Sequence, residues 1–144
     1  MVVTFTQVDP ARIYRELEHP ADLFLEVRGC FLAALCEHAL LALFDNLADL
    51  ALVHPACTRD VCVQADDPAE ALRRLLTEAL AIFYTERFLA VAAQVTAGPA
   101  DGDPVPVCLA TRLWGETFDP GRHELYTEIK AVTRHQLTAR QIGR

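Results

Sequence analysis

The amino-acid sequence predicts an α+β fold: a two-layer sandwich in which two helices pack on one face of a mixed or antiparallel sheet. Three observations support this prediction. Two apolar stripes with helical spacing each follow a short alternating segment, the second half of the chain is rich in strand formers, and turn residues separate its strands. With 144 residues and no linker-like segment, we expect residues 1–144 to form one domain around one core.

The first predicted strand covers residues 23–27, where side chains alternate between two faces, and it ends at Gly29. The period then changes to that of an amphipathic helix over residues 31–47, with its apolar stripe against a sheet. Asp45 and Asp49 lie where the helix macrodipole disfavours anions, so we interpret both as boundary residues.

A second short strand is predicted at residues 61–64, and the clearest helix start in the chain follows it. Asp67 can cap the helix, Pro68 suits its first position, and Glu70 stands three residues after the cap, as in a capping box. One apolar stripe then continues to about Tyr84, which predicts a second core helix.

Three further strands complete the predicted sheet, at residues 88–96, 107–115 and 129–137. The first two are expected to pair antiparallel, because the turn residues at 97–104 form a loop between them. Asp101 and Asp103 in this loop are interpreted as a solvated hairpin tip, since no later acidic residue completes an EF-hand. Residues 119–121 form the turn before the last strand.

Composition and charge exclude several classes of protein. The chain has a formal net charge of -7, 52% apolar residues and scattered basic residues, which excludes disorder and disfavours free-standing RNA or DNA binding. An acidic surface suits a divalent cation, a basic protein partner or simple solubility. No apolar run reaches the about 18 residues of a membrane span, and no signal-peptide pattern is present. We therefore expect a cytoplasmic protein that does not act at a membrane.

The five cysteines include no C-x-x-C pair and mostly stand within apolar runs. We interpret them as buried thiols in a reducing compartment. Without ligand pairs at zinc-binding spacing, a zinc site is not expected.

Two short polar blocks set ionisable groups beside hydrophobic structure, and the first is residues 18–23. It places Glu18, His19 and Asp22 around Pro20, which stiffens the backbone. A carboxylate at the entrance of a strand is a reasonable ligand for a hard cation, so Asp22 is a candidate metal ligand. His19 fits equally a structural histidine that bonds to backbone.

The second block is residues 128–135. Strict alternation puts Lys130 and His135 on opposite faces of a strand, so they share a site only if a bulge intervenes, and we favour Lys130. The alternative is a surface lysine that pairs with Glu128 or Glu124 and contributes under about 1 kcal/mol.

Taken together, in this order and separation, these segments resemble the archease family. That family opens with an E-H-T-A-D-like segment, continues with an A-L-F-D helix end, and closes with G-E, H-E and I-K-A-V/I-T-x-H. The corresponding segments of this chain are residues 18–22, 42–45, 115–116, 123–124 and 129–135, with Asp66 and Asp67 ahead of the second helix.

The resemblance implies an accessory protein without a catalytic centre. Archeases assist the RtcB-type RNA ligase, which joins RNA ends in tRNA splicing and repair, by promoting its GTP-dependent guanylylation and multiple turnover. The resemblance also implies a divalent metal, often calcium, at Asp22 and a role in activation for Lys130. Glu18, His19 and His135 belong to the same motifs, and we expect them at the contact with the ligase. RNA is then reached only through the ligase, and no small-molecule substrate is expected.

The chain departs from the family pattern in two places. Family members usually continue into one more strand that ends in an aspartate and an apolar residue, whereas this chain ends at residues 141–144. We therefore expect the final strand and the second metal ligand to be missing. Pro20 also replaces the usual threonine.

Two other functions stay open. A metal-dependent hydrolase would use His19, Asp22 and either His123 or His135, and it would need a third ligand and an open coordination position. A chaperone-like interaction module would present a large exposed apolar patch.

Overall fold

The computed structural model describes residues 29, 31–98 and 106–126 with their side chains, and the backbone alone of residues 2–3, 5–6, 14–17, 24–27, 99 and 141–142. In chain order, the elements are β1 (Val2–Val3), β2 (Phe5–Thr6), β3 (Tyr14–Leu17), β4 (Phe24–Val27), α1 (Leu32–Asp45), β5 (Cys57–Ala65), α2 (Pro68–Glu86), β6 (Phe88–Pro99), β7 (Val107–Thr117) and β8 (Gln141–Ile142). A short 3-10 helix covers Leu50–Leu52.

The central sheet has the strand order β5-β7-β6 and is antiparallel throughout. Elsewhere β4 pairs antiparallel with β3 and parallel with β1, while β2 pairs parallel with β8. Two helices combined with antiparallel and mixed pairing confirm the predicted α+β class. The pairing of β6 with β7 was predicted, whereas β1, β2, β3 and β8 were not. The strand predicted at 129–137 lies outside the described residues.

Both helices pack on one face of the central sheet, α1 mainly against β6 and α2 mainly against β5, and α1 also contacts β3 and β4. Alternation along β7 shows the division of the two faces, because Leu109 and Leu113 are buried while Ala110 and Arg112 are exposed. The largest fully buried side chains include Phe44, Phe83, Phe88, Leu35, Leu40, Leu72 and Leu75. Each contributes roughly 1.5–3 kcal/mol relative to exposure, so this layer carries most of the stability.

The helix boundaries follow the predicted local chemistry. The Asp67 carboxylate accepts a hydrogen bond of 2.9 Å from the backbone N–H of Glu70, and Pro68 occupies the first position of α2. Helix α1 ends at Asp45, and the Asp49 side chain caps the following 3-10 helix by accepting from the N–H of Ala51 at 3.0 Å. Both aspartates are therefore boundary residues, as predicted.

A bulge in β6 brings two backbones close together. The register passes from Ala90 opposite Gly115 to Ala92 opposite Trp114, which leaves residue 91 unpaired. A Cβ atom at Gly115 would collide with the backbone carbonyl of Leu89, so only glycine fits there. Gly115 directly precedes Glu116, so this close contact between the backbones of β6 and β7 lies next to the polar cluster described below.

The cysteine prediction was wrong at two positions. Cys36 is buried in α1, where desolvation and the neighbouring Glu37 raise the pKa of its thiol to about 12. Cys57 and Cys62 are exposed, and Cys108 is half-buried. The reason for Cys62 is alternation, since it follows the buried Val61 and turns to the sheet face without helices.

Membrane insertion through a helix has no support in the described part of the chain, where neither helix is both long and apolar enough to span a bilayer.

Candidate functional site

The residues that the sequence nominates for the site all lie outside the described residues. These are Glu18, His19, Asp22, Lys130 and His135. The structure instead describes what flanks them, because β4 begins two residues after Asp22 and the described chain reaches to four residues before Lys130. Their mutual placement stays a prediction.

The flank of the second block contains a polar cluster in which Glu116 and His123 are buried and Arg122 is exposed. Glu116 stands near the end of β7, Arg122 ends the turn that begins at Asp119, and His123 follows that turn directly. That turn closes locally, since the Asp119 carboxylate accepts from the N–H of Gly121 at 2.9 Å. Glu116 is 8% exposed and His123 is 5% exposed, so both are removed from water.

The hydrogen bonds of His123 identify its tautomer. Its Nδ1 accepts from the backbone N–H of Asp119 at 2.8 Å, so the proton of the neutral ring is on Nε2. Nε2 then donates to Glu116 Oε1 at 2.8 Å and faces the carbonyl oxygen of Leu52 at 3.1 Å. Both ring nitrogens are therefore occupied within the fold.

Glu116 accepts four hydrogen bonds, three of them on Oε1 and one on Oε2. Arg122 binds both of its oxygens, at 2.7 and 3.1 Å, and the backbone N–H of His54 donates to Oε1 at 3.1 Å. Arg122 above all, helped by the His54 N–H and His123, lowers the pKa of Glu116 to about 2 against the opposing effect of desolvation. The carboxylate is thus ionised at neutral pH and saturated with donors.

The hydrogen bonds of Glu116 and His123 indicate that these residues stabilise the fold and do not form a reactive site. An ionised, fully bonded carboxylate is a poor general base, and an imidazole without a free nitrogen cannot bind a metal. His123 is therefore not available as a ligand of a metal-dependent hydrolase. No group of three or more His, Cys, Asp or Glu side chains within the described residues is placed to hold a metal ion.

The cluster joins three segments: residues 52–54 at the end of the 3-10 helix, the end of β7, and the turn at 119–122 with His123 directly after it. From there residues 125–126 pair antiparallel with residues 47–48, while the His123 side chain contacts Leu52 at the end of the 3-10 helix. Ala48 bridges Leu125, and the N–H of Tyr126 donates to the carbonyl of Leu47 at 2.9 Å. The chain is thus anchored to the end of α1 directly before the second polar block.

Sequence reasoning identified the motifs of this cluster but missed its role. Gly115-Glu116 and His123-Glu124 were recognised as parts of a family pattern, and His123 also as a possible ligand of a metal-dependent hydrolase. A usable sign was present, because an acid and a histidine stand seven residues apart on either side of an Asp-Pro-Gly turn. Such a turn reverses the chain and lets the two side chains meet.

A concavity of about 390 Å³ lies on the helix-free face of the central sheet, and its lining includes Asp60, Cys62, Gln94, Thr96, Ala110 and Arg112. Its two charged groups neutralise each other, since Arg112 binds both oxygens of Asp60 at 2.8 and 3.2 Å. This pairing holds the pKa of Asp60 below its usual range. The concavity therefore offers no unbalanced charge to a ligand.

Known proteins resemble this chain over nearly its whole length. A sequence model described as the Archease protein family matches residues 14–143, which include both polar blocks. Protein archease of Sulfurisphaera tokodaii is 30% identical over 126 residues, covering 88% of this chain and 87% of that protein. Protein archease of Methanosarcina acetivorans is 32% identical over 125 residues, covering 86% and 84%. The solution structure of Methanobacterium thermoautotrophicum protein 1598 has a TM-score of 0.71 to this fold at 28% identity, with 85% of each chain covered.

Proposed function

This chain belongs to the archease family, and from that membership we propose that it is a protein cofactor that activates an RtcB-type RNA ligase in tRNA splicing and RNA repair. The observation that carries the proposal is the family match over residues 14–143, because it spans both polar blocks in one alignment. In this proposal the chain acts in the cytoplasm, catalyses no reaction of its own and meets RNA only through the ligase.

The charge of the chain supports an indirect role in RNA joining. A net charge of -7 repels phosphates, whereas it favours contact with a basic protein surface. An enzyme that holds GTP and RNA ends needs such a basic surface. The expected partner is therefore the ligase rather than the RNA.

Lys130 is the residue through which we propose activation. It is the only lysine of the chain, although twelve arginines show that this sequence otherwise uses guanidinium groups for positive charge. Lysine presents a compact, strongly hydrated point charge, whereas arginine presents a planar fork. The single lysine supports a site with a specific need for an ammonium group.

The proposed mechanism is conformational. Asp22 and Lys130 engage the active site of the ligase and favour the state in which its histidine and the GTP phosphates are aligned for in-line attack. The anchoring of residues 123–126 supports this proposal, because it restrains the chain just before the block that contains Lys130.

A divalent cation, by family resemblance calcium, is proposed at Asp22. One carboxylate rarely holds calcium, so further oxygen ligands are required. Calorimetric titration with Ca²⁺ tests this part, with Asp22→Asn as the variant and Asp66→Asn as the control. Heat of binding should disappear only in Asp22→Asn. Equal binding by all three proteins would remove Asp22 as the ligand.

The test of the whole proposal is covalent guanylylation of the cognate ligase in the presence of GTP. The wild-type chain should raise the rate and permit multiple turnover, and both effects should fall in Asp22→Ala, Lys130→Ala and Lys130→Arg. Glu78→Gln, an exposed change on α2, serves as the control. Unchanged guanylylation across a concentration series of wild-type protein would refute the proposal. Suppressed aggregation of unrelated clients in that case would support the chaperone-like alternative.

A further inference from the structure

Three large apolar side chains are exposed where residues 47–52 adjoin residues 123–126. Leu52, Leu125 and Tyr126 are 45%, 39% and 56% exposed, respectively. Leu125 and Tyr126 lie on the segment that pairs with residues 47–48, and Leu52 ends the 3-10 helix that His123 contacts; we call these two adjoining stretches, 47–52 and 123–126, the seam. The other exposed large apolar residues among the described ones, Phe31 and Tyr84, stand at the start of α1 and near the end of α2. Three of the five exposed large apolar residues among the described ones therefore belong to the seam.

The backbone beneath these side chains is held in place. The Ala48–Leu125 bridge and the hydrogen bond from the N–H of Tyr126 join the two segments in the middle and at one end. At the other end, His123 contacts the carbonyl of Leu52 and is itself tied to Glu116. A surface that is already ordered loses little conformational entropy when a partner binds.

Carboxylates stand on both segments of the seam, Asp49 on one and Glu124 on the other. Partial burial, together with the negative charges of Asp49, Glu124 and Asp45, raises the pKa of the Tyr126 phenol, so these groups lie close to it. The C-terminal end of α1 adds partial negative charge at the same place, and its last turn contains no basic residue. The seam thus combines an apolar centre with an acidic rim.

We propose that this seam patch, formed by Leu52, Leu125 and Tyr126 with Asp49 and Glu124 at its rim, is the surface on which the RNA ligase docks. The inference rests on the proposed function, because it names the contact surface for that partner. An apolar centre that contains a tyrosine, surrounded by a polar rim, is typical of a protein–protein interface.

Charge complementarity identifies the ligase as the occupant. A protein that binds GTP and RNA ends must line its substrate channel with lysine and arginine, and such a surface attracts an acidic rim. The position along the chain agrees, since Lys130 stands only four positions after Tyr126. Four extended residues span at most about 14 Å, so a ligase docked on the patch is within reach of the lysine.

The experiment measures binding of the full chain to the cognate ligase by biolayer interferometry, together with guanylylation by GTP. The double variant Leu125→Ser/Tyr126→Ser removes the apolar centre and keeps the backbone hydrogen bond. The double variant Asp49→Asn/Glu124→Gln removes rim charge, and asparagine keeps the capping oxygen at position 49. Tyr84→Ser and Glu78→Gln are matched controls on α2. Thermal unfolding verifies that every variant is folded.

Loss of the apolar centre should weaken ligase binding by about 30-fold or more, the effect of a hot-spot residue. Loss of the rim charges should slow association by about 10-fold at low salt, and that difference should shrink at 0.5 M salt because exposed charges are then screened. Both controls should bind like the wild type.

The outcomes separate this inference from the proposed function. If both seam variants bind and activate the ligase like the wild type while Lys130→Ala does not activate it, the docking surface is wrong and the function stands. If the wild-type chain neither binds nor activates the ligase, the function fails and the docking surface fails with it. If the apolar variant equally loses affinity for unrelated unfolded proteins, the patch is a general chaperone surface, which also overturns the inference.

Discussion

Replacement of Thr111 by valine should stabilise this protein. Thr111 stands in the middle of β7, the central strand of the sheet, opposite Val61 on one side and Val95 on the other. It is 5% exposed, and its Oγ1 atom has no hydrogen-bond partner in the structure. The hydroxyl therefore loses its hydration on folding without compensation.

The size of the effect follows from this environment. An unsatisfied buried donor or acceptor costs about 1–3 kcal/mol, and valine has nearly the same shape and an equal or better strand propensity. We expect Thr111→Val to raise the free energy of unfolding by about 1–2 kcal/mol. A chain of 144 residues gains about 0.3 kcal/mol/K of unfolding entropy, so Tm should rise by roughly 3–7 °C.

Urea titration and calorimetry measure the change, with Thr96→Val as the matched control. Thr96 lies on neighbouring β6 and is exposed, so its substitution should change stability by less than about 0.5 kcal/mol. A loss of stability in Thr111→Val would show that the hydroxyl has a partner after all. An equal gain in both variants would show that strand propensity, rather than the unsatisfied group, is responsible.

Three further predictions concern the elements around the site. The pKa of Glu116 is lowered from an ordinary 4.5 to about 2, so its ionised form stabilises the fold fully above pH 4.5, and this stabilisation is lost as the pH falls toward 2. In Glu116→Gln, a plot of Tm against pH should therefore be flatter between pH 5 and pH 2. Gly115→Ala should cost about 1–3 kcal/mol in urea titration because the new methyl collides with the backbone of β6, whereas Gly98→Ala, which has open space, should not. Asp67→Ala should cost about 1 kcal/mol through loss of the α2 cap, and its exposed neighbour Asp66→Ala should cost much less by the same measurement.

Local chemistry made both helices predictable. The start of α2 depends on Asp67 and Pro68, which act on backbone groups within three residues of themselves. Strands β6 and β7 were predictable for a similar reason, since a cluster of turn residues separates two runs of strand formers. Neither prediction requires knowledge of what lies across the fold.

Short strands and surface faces were not predictable in the same way. Four-residue β3 is too short to show a period, and its pairing with β4 depends on residues about ten positions away. Cys62 illustrates the second difficulty, because alternation shows that it opposes Val61 but does not show which face the helices cover. That choice is made when α2 packs on β5 and buries Val61.

The sequence by itself determined the fold class, the caps of α2, and membership of the archease family through several short motifs in order. Tertiary structure alone decided what Glu116 and His123 do, because their contact requires the turn at 119–122 and a carbonyl contributed by Leu52, which is 71 positions away from His123. Motifs record which side chains are present, whereas burial and hydrogen bonding arise only when distant segments meet. For that reason a histidine that the sequence offered as a possible metal ligand instead holds the seam in place together with Glu116.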